Sequence, residues 1–102
     1  MNNEIQQAIQ ILSILKYDND KGSGVRLSFI LIDNPQKSKN FVGRPVIDQF
    51  YDDKDLFDKI SDIDLEAPIL GTFVSKPQIN NPLKVKSILC KLETDDDVID
   101  LL

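Results

Sequence analysis

A small, mainly β domain is predicted, with five strands forming a Greek-key barrel and one helix between the third and fourth. Three observations predict it. Val25, Leu27, Phe29 and Leu31 fall on one side of a strand and Arg26, Ser28, Ile30 and Ile32 on the other. Clusters of turn formers, such as Asp18-Asn19-Asp20-Lys21-Gly22-Ser23-Gly24, divide the chain into short pieces. Only Asp53 to Ile63 combines helical spacing with an acidic first turn, which suits the positive end of a helix dipole.

The elements follow in order. Ile5 to Tyr17 reads as a long first strand. Its four isoleucines favour a pleated surface, although Ile5, Ala8, Ile9, Leu12 and Leu15 also fit one helical face, so residues 5–9 stay open between helix and strand. Val25 to Ile32 is the second strand, ended by Asp33-Asn34-Pro35. A polar loop, Gln36 to Asn40, leads to a third strand over Phe41 to Ile47, expected to be short, bulged or at an edge because Pro45 has no N–H to donate. The helix repeats Leu56, Phe57, Ile60 and Ile63. Ile69 to Val74 is the fourth strand, Ser75 to Pro82 a wide loop, and Leu83 to Leu92 the fifth strand.

With 102 residues there is material for one domain, assigned to residues 1–92, and for a short acidic tail, residues 93–102. No apolar run approaches the roughly 20 residues of a spanning helix, and Met1-Asn2-Asn3-Glu4 lacks the basic start of a secretory signal, so a cytoplasmic protein without membrane contact is expected. The chain has no histidine and a single cysteine, Cys90, in an apolar run. That removes the commonest general base and the commonest zinc ligand. No catalytic residue, metal or cofactor is expected, and Cys90 reads as a small core hydrophobe.

The formal charge of −5 conceals a segregation. All 12 cations precede residue 92, and the body up to that point is neutral in sum. Asp48 to Glu66 concentrates eight acids against two lysines, leaving ten cations against four acids in the rest of the body. Such a remainder can bind phosphates if its cations converge on one surface.

The stretch Ile11-Leu12-Ser13-Ile14-Leu15-Lys16-Tyr17, its Gly-containing turn and Val25 to Asp33 resemble the first hairpin of an oligonucleotide-binding (OB) barrel. The helix lies where that fold has one, and Ile69-Leu70-Gly71-Thr72-Phe73-Val74 resembles its fourth strand. The ending Glu93-Thr94-Asp95-Asp96-Asp97-Val98-Ile99-Asp100-Leu101-Leu102 is similar to the acidic, apolar-tipped tails of bacterial and phage single-stranded DNA-binding proteins. It departs from their usual Pro-Phe or Phe terminus. The resemblance implies a mobile tail whose Asp95, Asp96, Asp97, Val98, Ile99, Asp100, Leu101 and Leu102 recruit replication or recombination proteins in a phage or plasmid setting.

It also implies where nucleic acid would lie: on strands two and three and on the loops joining strands one to two and four to five. The matching positions are Tyr17 and Lys21 at the first loop, Arg26 on strand two, Lys37, Lys39, Phe41 and Arg44 on the following loop and third strand, and Lys76 at the fourth loop. Tyr17 reads equally as a barrel-end plug and Phe41 as core, while Phe50 and Tyr51 stay undecided between helix cover and groove. The function expected is sequence-tolerant single-stranded DNA binding by a homo-oligomer, such as a dimer. The competing reading is a protein-binding barrel acting as a subunit of a larger assembly, and RNA is the alternative nucleic acid.

Overall fold

A computed structural model describes residues 4–77 and 85–102. The elements are β1 (Glu4–Asn19), β2 (Gly22–Leu31), β3 (Gln36–Lys37), β4 (Val42–Gly43), β5 (Ile47–Tyr51), α1 (Leu56–Ile60), β6 (Ile69–Pro77), β7 (Val85–Glu93) and β8 (Val98–Asp100). Leu83 and Lys84, expected to open the fifth strand, and most of the expected Ser75–Pro82 loop lie outside the described residues.

The main sheet runs β5-β2-β1-β6-β7-β8, and β3 pairs only with β4. Residues 5–9 are strand. Ile5 pairs with Phe73, and Ile9 faces Leu31 on one side and Ile69 on the other, so β1 serves two ladders at once. A bulge between Ile11 and Ser13 turns the strand as it passes from one partner to the next. The β1–β2 connection is only Asp20-Lys21. Asn19 accepts a hydrogen bond from the Lys21 N–H at 2.9 Å, and Gly22 has φ +144°, which disfavours a side chain there.

The core is built by alternation. Val25, Leu27 and Phe29 of β2 point inward with Ile9 and Ile11 of β1, Phe73 of β6, and Leu89 and Leu92 of β7. Leu56 and Ile60 of α1 cover one end of this cluster. Gly71 is required by contact: a Cβ there would lie 2.8 Å from Leu89 Cδ1 and 3.1 Å from Ile9 Cδ1.

Four expectations need correction. The five-stranded barrel is an open six-stranded sheet, because no ladder joins β5 to β7 or β8. Side chains bridge that gap instead: the Tyr51 hydroxyl donates to the Leu89 carbonyl, and the Leu89 N–H donates to Gln49 Oε1 at 3.3 Å. The third strand of the sheet is Ile47–Tyr51 rather than Phe41–Ile47; most of the expected segment forms a small hairpin and a coil. The helix spans five residues rather than Asp53 to Ile63, since the Asp53 and Asp64 carboxylates accept N–H groups two residues on and build turns at its flanks.

Fourth, the tail expected to be free is placed on the sheet. Asp97 closes a turn on Thr94, β8 pairs with β7, and the Leu101 N–H donates to the Cys90 carbonyl at 2.9 Å. Leu101 is buried and Ile99 half-buried, whereas Val98 and Asp100 face out; this period of two lies beneath the acidic composition. Cys90 is half-buried rather than core, and burial pushes its thiol pKa up. Among the described residues, no helix is long and apolar enough to cross a membrane.

Candidate nucleic-acid interface

Because Val25, Leu27 and Phe29 face the core, Gly24, Arg26 and Ser28 lie on the opposite face of β2, where Gly24 and Ser28 are covered and Arg26 is half-buried. The neighbouring strands extend that face. Arg26 is in register with Leu15 of β1 and with Phe50 of β5, and Tyr17 with Gly24. Along β5 the usual alternation is inverted. Gln49 and Tyr51 are buried and hydrogen-bonded, while Phe50 is 63% exposed.

Gly24 lets this face assemble. A Cβ there would collide with the Tyr51 carbonyl oxygen and stand 2.7 Å from the Tyr17 hydroxyl. Without one, the Tyr17 ring lies across β2 and meets Phe50 edge-on, with centroids 6.4 Å apart and planes at 68°. Leu15, 46% exposed, extends the apolar surface. Arg26 stands between Leu15 and Phe50 in the cross-strand row, and its enclosed Nε has no hydrogen-bond partner among the described residues. The face therefore offers two aromatic rings and a guanidinium, the groups that stack on bases and engage phosphates.

Two acids near this face are engaged. Asp18 pairs with Lys54 at 3.0 Å, which holds the lysine pKa above its ordinary value, and Asp48 accepts the Ser28 hydroxyl. Lys21 is exposed in the adjoining β1–β2 turn.

The structure divides the predicted residues into three groups. Tyr17, Lys21 and Arg26 belong together at the β1–β2 end. Lys37, Lys39, Phe41 and Arg44 belong to the β3–β4 hairpin and its exit, beyond the opposite end of β2, roughly 20 Å away at about 3.3 Å per strand residue. Arg44 Nε donates to the Ile32 carbonyl at 2.7 Å and ties the hairpin to that end, and Phe41 is 45% exposed rather than core. Lys76 stands opposite Lys86 on the β6–β7 ladder, beyond β1 from β2. Of the tail positions, Asp95, Asp96, Asp97, Val98, Asp100 and Leu102 are exposed, whereas Ile99 and Leu101 pack inward and are not free to enter a partner's pocket.

Leu15 is a member of the face that sequence reasoning missed, and Phe50, left open between helix cover and groove, belongs to it. Ile47-Asp48-Gln49-Phe50-Tyr51 does not alternate in polarity, since Gln49 points inward and Phe50 outward, so residue type carried no signal for this strand. No protein-family model, curated protein or solved structure matches this chain.

Proposed function

We propose that this protein binds single-stranded DNA with little sequence preference, using the outer face of β1, β2 and β5. The observation that carries the reading is the pair of rings beside Arg26, the exposed Phe50 and the half-buried Tyr17. Exposed aromatic rings carry a hydration penalty that stacking removes, and each stacked base is worth about 1–3 kcal/mol. Arg26 supplies a charge beside the rings, and Lys21 extends the positive side toward the turn.

An OB-type strand order in an open sheet is the fold that accompanies this reading. Five principal strands occur in the order β5-β2-β1-β6-β7, with the helix between the third and fourth in sequence and a partly open seam bridged by Gln49 and Tyr51. That fold binds oligonucleotides on its second and third strands, which are β2 and β5 here. The protein acts in this reading as a non-enzymatic binder in replication or recombination, and the exposed Asp97, Val98 and Leu102 are the tail positions open to partner proteins.

The test is titration of a fluorescent oligo-dT at two salt concentrations. Binding should weaken as salt rises, each engaged cation contributing about −0.7 to the logarithmic slope for a single strand. Absence of binding at low salt overturns the proposal, and preference for oligo-U over oligo-dT reassigns the ligand to RNA.

A further inference from the structure

At another part of the molecule, the segment from Lys59 to Leu70, Ala8 of β1 and residues 93–99 enclose an open cleft of about 720 Å³. Its floor is apolar, with Ala8, Ile63, Pro68, Ile69 and Ile99. Its rim is acidic: Asp62, Asp64, Glu93, Asp95 and Asp96 against the single cation Lys59. None of these acids is ion-paired, the pairs among the described residues being Lys54–Asp18 and Lys91–Asp100. The occupant that fits is basic and carries apolar side chains.

The chain presents such a segment. The β3–β4 hairpin and its exit carry Lys37, Lys39 and Arg44, with no acid between Gln36 and Ile47. Phe41, Val42 and Val46 are 45%, 75% and 58% exposed, and the hairpin has no ladder to the main sheet. Its root lies beside the cleft, because the Ile32 N–H donates to the carbonyl of Ala8 at 3.1 Å. Yet no residue between Ile32 and Val46 lines the cleft of its own chain.

We infer that two copies of this protein pair by exchange, each laying its β3–β4 hairpin in the acidic cleft of the other. Complementary surfaces at one end of a chain suit a two-fold arrangement, where each contact is made twice. The apolar residues provide burial, and the opposed charges provide orientation and speed of encounter. The inference does not rest on DNA binding.

Sedimentation equilibrium of the full chain without nucleic acid tests it. Twice the chain mass is expected at low salt, shifting toward the monomer as salt rises. Lys37→Glu with Lys39→Glu should raise the dissociation constant at least ~100-fold, as should Asp62→Lys with Asp64→Lys. Mixing the two variants should restore a dimer, since both exchanged contacts are then complementary again. A monomeric wild type at low salt, a dimer that survives the Lys37/Lys39 reversal, or a mixture that stays monomeric overturns the inference. Far-UV circular dichroism monitors folding. If a charge-reversed variant loses its spectrum, Phe41→Ser with Val42→Ser decides instead: dissociation supports the exchange and an unchanged dimer overturns it.

Discussion

The outer face of β1, β2 and β5 and the cleft beside α1 both expose apolar side chains, but within charge of opposite sign. On the first, Asp18 and Asp48 are engaged and the Arg26 guanidinium has no ion pair among the described residues. Around the second, five acids go without ion pairs. A net charge of −5 describes neither. What a surface attracts depends on which charges are left unneutralised beside its exposed apolar groups, and in this chain those are segregated by element.

A core substitution should remove the distinction by abolishing both surfaces. Phe29 is fully buried and packs against Phe73 with ring centroids 5.9 Å apart. Phe29→Ala is expected to destabilise the fold by about 3–5 kcal/mol, measured by urea denaturation.

Tyr51→Phe acts on the seam between the two ends of the sheet. It strands the Leu89 carbonyl and should cost about 1–3 kcal/mol. Burial raises the Tyr51 phenol pKa, so the folded protein holds that proton more tightly than the unfolded chain. Its contribution is therefore complete below about pH 10, the unfolded value, and is lost as pH climbs past it. Denaturation midpoints measured from pH 8 to pH 11 should fall less steeply in the variant than in the wild type, the titration range being set by the ordinary tyrosine value of about 10.

Phe50→Ala sharpens the comparison. Its exposure predicts a stability change below about 0.5 kcal/mol in the same denaturation assay. Its place on the aromatic face predicts a loss of about 1–3 kcal/mol in oligo-dT binding. Dimerisation through the acidic cleft should be untouched; if it weakens as well, the two surfaces are not independent.

Much of the architecture was legible because it follows simple alternation. The inward set of β2 and the approximate positions of β1, β6 and β7 are visible in the sequence for that reason. The third strand was not, because Ile47 to Tyr51 reverses the usual assignment: Gln49 is buried where its amide receives the Leu89 N–H, and Phe50 faces solvent. Hydrophobicity then favours Phe41 to Ile47, whose apolar residues Phe41, Val42 and Val46 are exposed.

The tail misled for the opposite reason. Asp95 to Asp97 dominate its composition, yet two apolar side chains at alternate positions were enough to hold it on the sheet. Of the candidate site, Tyr17, Lys21 and Arg26 were readable from the hairpin. The separation of Lys37, Lys39, Phe41 and Arg44 from them depends on the length of β2 and the placement of β3 and β4, which residue type alone does not encode.

The shared position of Ile9, with Leu31 on one flank and Ile69 on the other, makes the spacing of β1 harder to alter than its chemistry. Conservative replacements there keep every neighbour facing as before. Removing one residue just before the bulge would shift the strand against a flanking partner and reverse which side chains it sends inward. Added length is therefore better absorbed outside β1, in segments that no ladder holds.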